Sequence, residues 1–294
     1  MIDDRSPSPP PMSTRADLAA GPPPELRYRY RVRPLHSLRE FWAARNLAWT
    51  LAERDIRARY KQAFLGVSWA VVTPLIMMVA FNVFFKRVAK IDTHGAPYPI
   101  FTYLGLLPWQ FFSGSVSSGG YAFITDSQLL NKIYCPREVF PLADIMGAAV
   151  DMLISTGVLA ILFVVFGYAP FGTSVWVPVL LLIQIAFTVG VTLGICGLFV
   201  YVRDLKQVVP IILQLGLFAT PVAWGLESIP ASWRGAYCAV NPLGIVIDGY
   251  RNAVLYGRAP DSTLVVYAAM ASAVYLIAGY LLLKRLEVGF ADVA

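Results

Sequence analysis

Charge is scarce in this sequence. Only 14% of its 294 residues are Asp, Glu, Lys or Arg, where a soluble domain carries about 25%. Histidine is scarcer still, with two residues, His36 and His94, both outside any apolar run. A buried Ser-His pair built on Ser113, Ser115 or Ser117 is therefore disfavoured. The three cysteines, Cys135, Cys196 and Cys238, lie far apart and form no C-x-x-C pair, which suggests neither a zinc site nor a disulfide framework. No G-x-x-x-x-G-K-S/T stretch occurs, so the chain lacks the usual backbone cradle for ATP phosphates. Asp144 and Asp151 fit one helix face, but one pair of acids falls short of the cluster a metal-dependent transferase needs. No metal and no cofactor are expected on this chain. The first 35 residues hold eight prolines and no apolar core, so no signal peptide is expected.

Long apolar runs are what the sequence does have. Six stand out: Val67–Phe85, Ile100–Ile124, Ile145–Tyr168, Val175–Val202, Val208–Trp224 and Leu264–Leu283. A helix rises about 1.5 Å per residue, so roughly 20 apolar residues cross a hydrocarbon layer about 30 Å thick. Inside lipid the backbone must satisfy its own hydrogen bonds, which for continuous runs of this length means helices. The expected fold is all-α, a multi-pass membrane domain with six transmembrane helices.

With alternating spans and a cytoplasmic N-terminus, 18 of the 24 Lys and Arg residues fall on the inner side. That bias predicts both termini inside. Lys86, Arg87 and Lys90 are a local exception. The net charge of +6 has the same origin: 12 of the 24 cations precede residue 67. The charge reads as membrane orientation and lipid contact, with no nucleic-acid partner.

Residues 1–35 are rich in Pro and Arg and are expected to be a disordered cytoplasmic tail. The run Arg27–Arg33 alternates cations with apolar residues, which suits anionic headgroups or a protein dock. Residues 36–62 place Leu38, Trp42, Trp49, Ile56 and Tyr60 on one stripe, the pattern of an amphipathic helix at the membrane interface. Packing of that helix on the chain's own membrane domain is compatible with the same pattern. In the cytoplasmic segment 125–144, a short helix beginning near Thr125 and ending by Pro136 would expose Leu129, Leu130, Ile133 and Tyr134. It reads either as a knob for a partner's groove or as a loop folded back on the bilayer. Residues 225–263 contain two short apolar helices broken at Asn241-Pro242, the pattern of a re-entrant hairpin before the last span.

Several of these stretches resemble one family. Arg54-Asp55-Ile56-Arg57-Ala58-Arg59-Tyr60-Lys61-Gln62, Leu65-Gly66-Val67-Ser68-Trp69-Ala70 and Pro74-Leu75 are similar to the start of the polysaccharide-exporting ABC transporter permeases of the ABC-2 type. Leu107-Pro108-Trp109-Gln110-Phe111-Phe112-Ser113 resembles their second span. The segment Lys132 to Pro141 resembles their coupling segment, and Tyr201-Val202-Arg203-Asp204-Leu205 and Asn241-Pro242-Leu243 followed by Arg251 also fit. The resemblance covers about residues 40–290, and the family includes O-antigen, teichoic-acid, capsule and galactan exporters. The Pro-rich tail departs from it.

The resemblance implies a non-catalytic permease in the bacterial cytoplasmic membrane. It implies a homodimer, with ATP and Mg on a separate ATPase subunit and a polyprenyl-linked polysaccharide as cargo. A permease for a small drug or lipid, and a membrane-embedded transferase, are the alternatives. Residues expected at the ATPase are Arg54, Asp55, Arg57, Arg59, Gln128, Leu129, Lys132, Ile133, Tyr134, Arg137 and Glu138. Residues expected along a conduit are Trp109, Phe112, Ser113, Ser117, Tyr121 and Asp151, since sugar rings pair apolar C–H faces with aromatic rings and hydroxyls with polar groups. An aromatic belt with small packing residues is the plainer reading of the same cluster. Asp151 lines a channel or dimer seam, or is a hydrogen-bonded structural acid. Asn241, Pro242, Asp248, Tyr250 and Arg251 are expected at an outer gate, with Asp248 and Arg251 able to pair across one helical turn.

Overall fold

Helix accounts for nearly every described residue, as an apolar chain with no aqueous partner for its backbone requires. The computed structural model describes residues 44–61, 68–89, 93, 95–130, 135–202 and 204–287, within a unit spanning 35–294. In chain order the α-helices are α1 (Arg45–Lys61), α2 (Ser68–Phe81), α3 (Tyr98–Thr125), α4 (Ser127–Leu130) and α5 (Val139–Val165). They continue with α6 (Val177–Tyr201), α7 (Leu205–Ala219), α8 (Ala231–Val240), α9 (Pro242–Val254) and α10 (Ser262–Glu287). A wider π-helical stretch, Asn82–Ala89, prolongs α2, and a 3-10 turn, Gly172–Trp176, leads into α6. The tail 1–35 lies outside the described residues.

Four described helices are long and apolar enough to cross a membrane: Ser68–Phe85, Val139–Val165, Gly172–Tyr201 and Ser262–Glu287. The other two expected spans also form helices, but each meets only half the requirement. α3 is 28 residues long, about 42 Å at the usual helical rise. Its Tyr, Trp, Ser and Gly residues make it more polar than the rest, and most of its length is buried inside the bundle. α7 is apolar but only 15 residues long. α8 and α9, with 10 and 13 residues, are the two short helices expected at the Asn-Pro break.

α3 is the central helix, packed against α5, α6, α2 and α9. α10 lies along α6. Their crossing is backbone against backbone: a Cβ on Gly279 would run into the Gly190 carbonyl, and one on Gly190 into the Tyr275–Leu276 peptide. Gly190 and Gly194 form a small-xxx-small stripe, and lipid tails give packing and close approach the role that the hydrophobic effect plays in water.

α1 is bound to the bundle. Ala48, Leu51 and Ala52 are buried, sharing a cluster with Phe123, Phe140, Leu193, Cys196 and Leu283. Trp49, expected on the apolar stripe of an interfacial helix, is 63% exposed. Ala48, Leu51 and Ala52 fit the bundle while the Trp49 ring points away from it, and Tyr60, later on the same apolar stripe, turns back to Asp151 on α5.

Candidate functional site

Three polar assemblies interrupt the apolar bundle, and they collect most of the residues singled out from sequence. The first lies where α1 meets the ends of α3 and α10. Arg54 donates to Asp55 and to Asp126, each at 2.8 Å, so it joins α1 to the residue that ends α3. Burial disfavours the Arg54 charge, yet its bonds and attraction to Asp55 and Asp126 prevail and raise its pKa. Arg57 pairs with Glu53 one turn back. Arg137 donates to the Glu287 carbonyl at 3.4 Å. Lys284 Nζ sits 2.7 Å from Glu138 and 2.9 Å from Glu287, with the Lys284 and Glu138 side chains only 5% and 4% exposed.

That geometry gives two of the residues expected on this face a role inside the bundle. Glu138 turns inward to Lys284 and Arg137 to Glu287, so both clamp α10 to the start of α5. A charge entering an apolar bundle needs an opposite charge within reach, and each finds one on α10. Leu129 and Leu130 are half-buried against the α1 cluster, so these two do not stand out as a free knob. Arg57 is the more open cation on this face, its side chain 75% exposed. Lys132, Ile133 and Tyr134, and the side chains of Arg59 and Gln128, lie outside the described residues.

The second assembly is a groove of about 430 Å³ bounded by α1, α2, α3 and α5. Tyr60, at the end of α1, donates its hydroxyl hydrogen bond to Asp151 on α5. Ser113 from α3 joins them, with Gln110, Thr73 and Ser155 completing the polar wall. Ser155 Oγ donates to the Ala70 carbonyl at 3.1 Å, and Tyr103 Oη donates to the Ser155 carbonyl at 3.2 Å. Those bonds hold α2 and α3 to α5 beside the groove.

Asp151 and Ser113 therefore line one groove, while their expected companions lie elsewhere. Trp109 and Phe112 are buried in the core, Phe112 stacked on Phe187 with ring centroids 5.1 Å apart. Tyr121 packs on Phe199 and donates to the Lys206 carbonyl at 2.8 Å. Ser117 is half-buried and does not line the groove. These aromatic residues fill space between α3, α6 and α7, the packing role that composition had left open. Tyr60, Trp69 and Gln110 had not been singled out for the groove. Tyr60 and Trp69 stood in the first quoted stretches, but nothing in their spacing pointed to Asp151.

The third assembly closes the other end. Arg251 on α9 is 1% exposed and directs its guanidinium at backbone carbonyls. Nη1 donates to Pro221 at 2.7 Å and Trp224 at 2.9 Å. Nη2 donates to Val222 at 2.6 Å and, with Nε, to Phe101 at 3.3 Å. The group lies 3.5 Å over the Phe101 ring. The Pro221, Val222 and Trp224 carbonyls lie in the non-helical stretch just beyond α7, where no helix ladder supplies donors, and the Phe101 carbonyl belongs to α3. Gly105 makes the room, since a Cβ there would stand 2.7 Å from Arg251 Nη2.

Asp248 is not the direct partner of Arg251; it accepts a hydrogen bond from Asn252 at 2.8 Å. Asn241 donates to Thr220 Oγ1 at 2.8 Å and to Tyr237 Oη at 3.1 Å, and Tyr237 donates to the Ala219 carbonyl at 3.0 Å. Pro242 opens α9 and is buried. Tyr250 donates to Gln184 at 2.9 Å, and Gln184 donates to the Pro108 carbonyl at 3.3 Å. The residues expected at a gate thus tie α8 and α9 to the end of α7 and to α3 and α6.

Comparison with known proteins agrees with this architecture. Residues 46–255 match the ABC-2 type transporter family model. The chain is 31% identical over 256 residues to the O-antigen export system permease protein RfbA of Myxococcus xanthus, covering 87% of this chain and 98% of that protein. It is 30% identical over 210 residues to a protein of the same name from Klebsiella pneumoniae, covering 70% and 79% of the two chains. It is 26% identical over 239 residues to the polysialic acid transport protein KpsM of Escherichia coli, covering 80% and 91%. The matched span and these relatives place this chain in the ABC-2 type transporter family, as a membrane permease.

Proposed function

We propose that this chain is the permease subunit of an exporter that carries a lipid-linked polysaccharide across the bacterial cytoplasmic membrane, powered by a separate ATPase. The observation that carries the reading is the match along 98% of an O-antigen export permease. In this reading the chain crosses the bilayer six times, with α3 and α7 completing the set and both termini cytoplasmic. Two copies enclose the conduit, and ATP and Mg²⁺ belong to the partner. The described face with Arg54, Arg57 and Asp126, together with the coupling residues expected from sequence, Gln128, Leu129, Lys132, Ile133 and Tyr134, receives the ATPase. The clasp from Arg137 and Glu138 to α10 supports that face from within. The α8–α9 pair is the re-entrant element at the outer end.

For ATP to drive transport, the ATP-bound partner must favour one arrangement of the permease over another. The test is co-purification of the full chain with an ATPase carrying the G-x-x-x-x-G-K-S/T stretch, encoded beside it. In vesicles the complex should show ATP hydrolysis stimulated by a lipid-linked glycan and should move it. Stimulation by a small hydrophobic dye with no response to the glycolipid would replace this reading with a small-molecule permease. Turnover of the glycolipid by the chain alone would replace it with a transferase.

A further inference from the structure

Proline falls inside α2, α3 and α7. It has no N–H, so within a helix it leaves the carbonyl four residues earlier without its usual donor. Pro74 in α2 does this to Ala70, and Pro210 in α7 does it to Lys206. In both places a hydroxyl from another helix mends the ladder. Ser155 Oγ donates to the Ala70 carbonyl at 3.1 Å, and Tyr121 Oη to the Lys206 carbonyl at 2.8 Å. Inside lipid a freed carbonyl needs such a replacement, and α2 draws it from α5 while α7 draws it from α3.

The surroundings of the two repairs differ. Ser155 is buried, but Tyr121 is only partly so, and α7 has a single buried residue, Val209. The lie of α7 therefore depends on few contacts. Tyr121 stands one turn before Thr125, where α3 ends. Its neighbours Ala122 and Phe123 are buried in the cluster shared with α1, and Asp126 accepts from Arg54 of α1. The Tyr121 ring packs on Phe199 with centroids 4.5 Å apart, which fixes the direction of its hydroxyl.

We infer that Tyr121 is a positioning residue for transport. Its hydroxyl replaces the amide that Pro210 lacks, and making or breaking that bond sets the bend of α7 from the face that Arg54 and Asp126 hold. The inference rests on the exporter reading above and adds to it a physical link between the ATPase face and a membrane helix. Proline is where a helix bends most readily. Losing one hydrogen bond shifts such an equilibrium about fivefold, the equivalent of about 1 kcal/mol. That is the lower end of the coupling found between sites in allosteric proteins.

Hydrogen exchange of the full-length chain in lipid nanodiscs tests the bond without partner or cargo. Tyr121→Phe keeps the ring on Phe199 and removes the hydroxyl. The amides of residues 211–213, which close across the proline, should then exchange about fivefold faster while α10 is unchanged. Pro210→Ala returns an amide to the Lys206 carbonyl, so adding Tyr121→Phe to it should leave α7 exchange unaltered. Equal acceleration in both backgrounds would overturn the inference, since the hydroxyl would then serve packing alone. So would no acceleration in Tyr121→Phe. In the complex with its ATPase, either substitution should lower the maximal glycolipid-stimulated hydrolysis several-fold and leave the KM for ATP in place. Full stimulation in both would remove the part in transport. Failure of the parent reading looks different: the unmodified complex then ignores the glycolipid, and the exchange comparison still decides the bond.

Discussion

Arg251 makes the sharpest quantitative claim. Its five hydrogen bonds reach four carbonyls, those of Phe101, Pro221, Val222 and Trp224. Arg251→Met keeps bulk but leaves all four acceptors without this donor. The Phe101 carbonyl keeps its intrahelical donor within α3, so at about 1–3 kcal/mol for each of the other three buried groups the loss is about 3–9 kcal/mol, a large part of the stability of a typical domain, about 5–15 kcal/mol. Arg251→Lys keeps the charge but offers three donors to four carbonyls. It also gives up the flat stack on Phe101, so it should cost about 2–5 kcal/mol. Phe101→Leu keeps the carbonyl and removes only the ring, and should be the mildest of the three. The assay is size-exclusion of a detergent-solubilised fluorescent fusion after a temperature series. The expected order of melting is unmodified, Phe101→Leu, Arg251→Lys, with Arg251→Met failing to accumulate. An Arg251→Met chain that melts with the unmodified protein would refute the reasoning, because the carbonyls would then have found other donors at no cost.

Further outcomes follow from the other contacts. Gly279→Ala should lower the melting temperature sharply, because its Cβ meets the Gly190 carbonyl, while Gly157→Ala, with nothing near its Cβ, should not. Glu138→Gln should destabilise by about 3–5 kcal/mol in the same assay by stranding part of the Lys284 charge, and pairing it with Lys284→Met should recover much of the loss. Burial pushes the Cys135 thiol up, Arg137 opposing and Glu138 adding to the shift. The thiolate is the reactive form, so maleimide should label Cys135 more slowly than a free thiol at neutral pH. The rate should climb as pH rises past the usual thiol range, while the buried Cys196 and Cys238 stay unlabelled.

The helices were legible because long apolar runs have one solution in lipid, and the Asn241-Pro242 break was legible because proline opens a new helix and cannot continue an old one. What each polar residue touches was less so. Arg251 finds Phe101 across 150 positions, and Tyr60 finds Asp151 across 91. No local spacing encodes such pairs. Glu138 read as a surface acid until Lys284, on the last helix, turned it inward. On α1 the hydropathy of Trp49 outweighed Ala48 and Ala52, yet small size decides which face can press against a neighbour. Asp151 and Ser113, expected along a conduit, line one groove, while the rings grouped with them pack in the core.

The glycine crossing of α6 and α10 has a mechanical meaning. Two helices in main-chain contact cannot slide without one carbonyl ridge climbing over the other, so this pair moves as a single beam. α7 is different: Val209 is its only buried residue among those described, and Arg251, Asn241 and Tyr237 grip it just beyond its final turn. Tyr121 holds its opposite end at the Lys206 carbonyl, so a rod fastened at its extremities and bare along most of its flank is the piece of this molecule able to bow while the beam stays still.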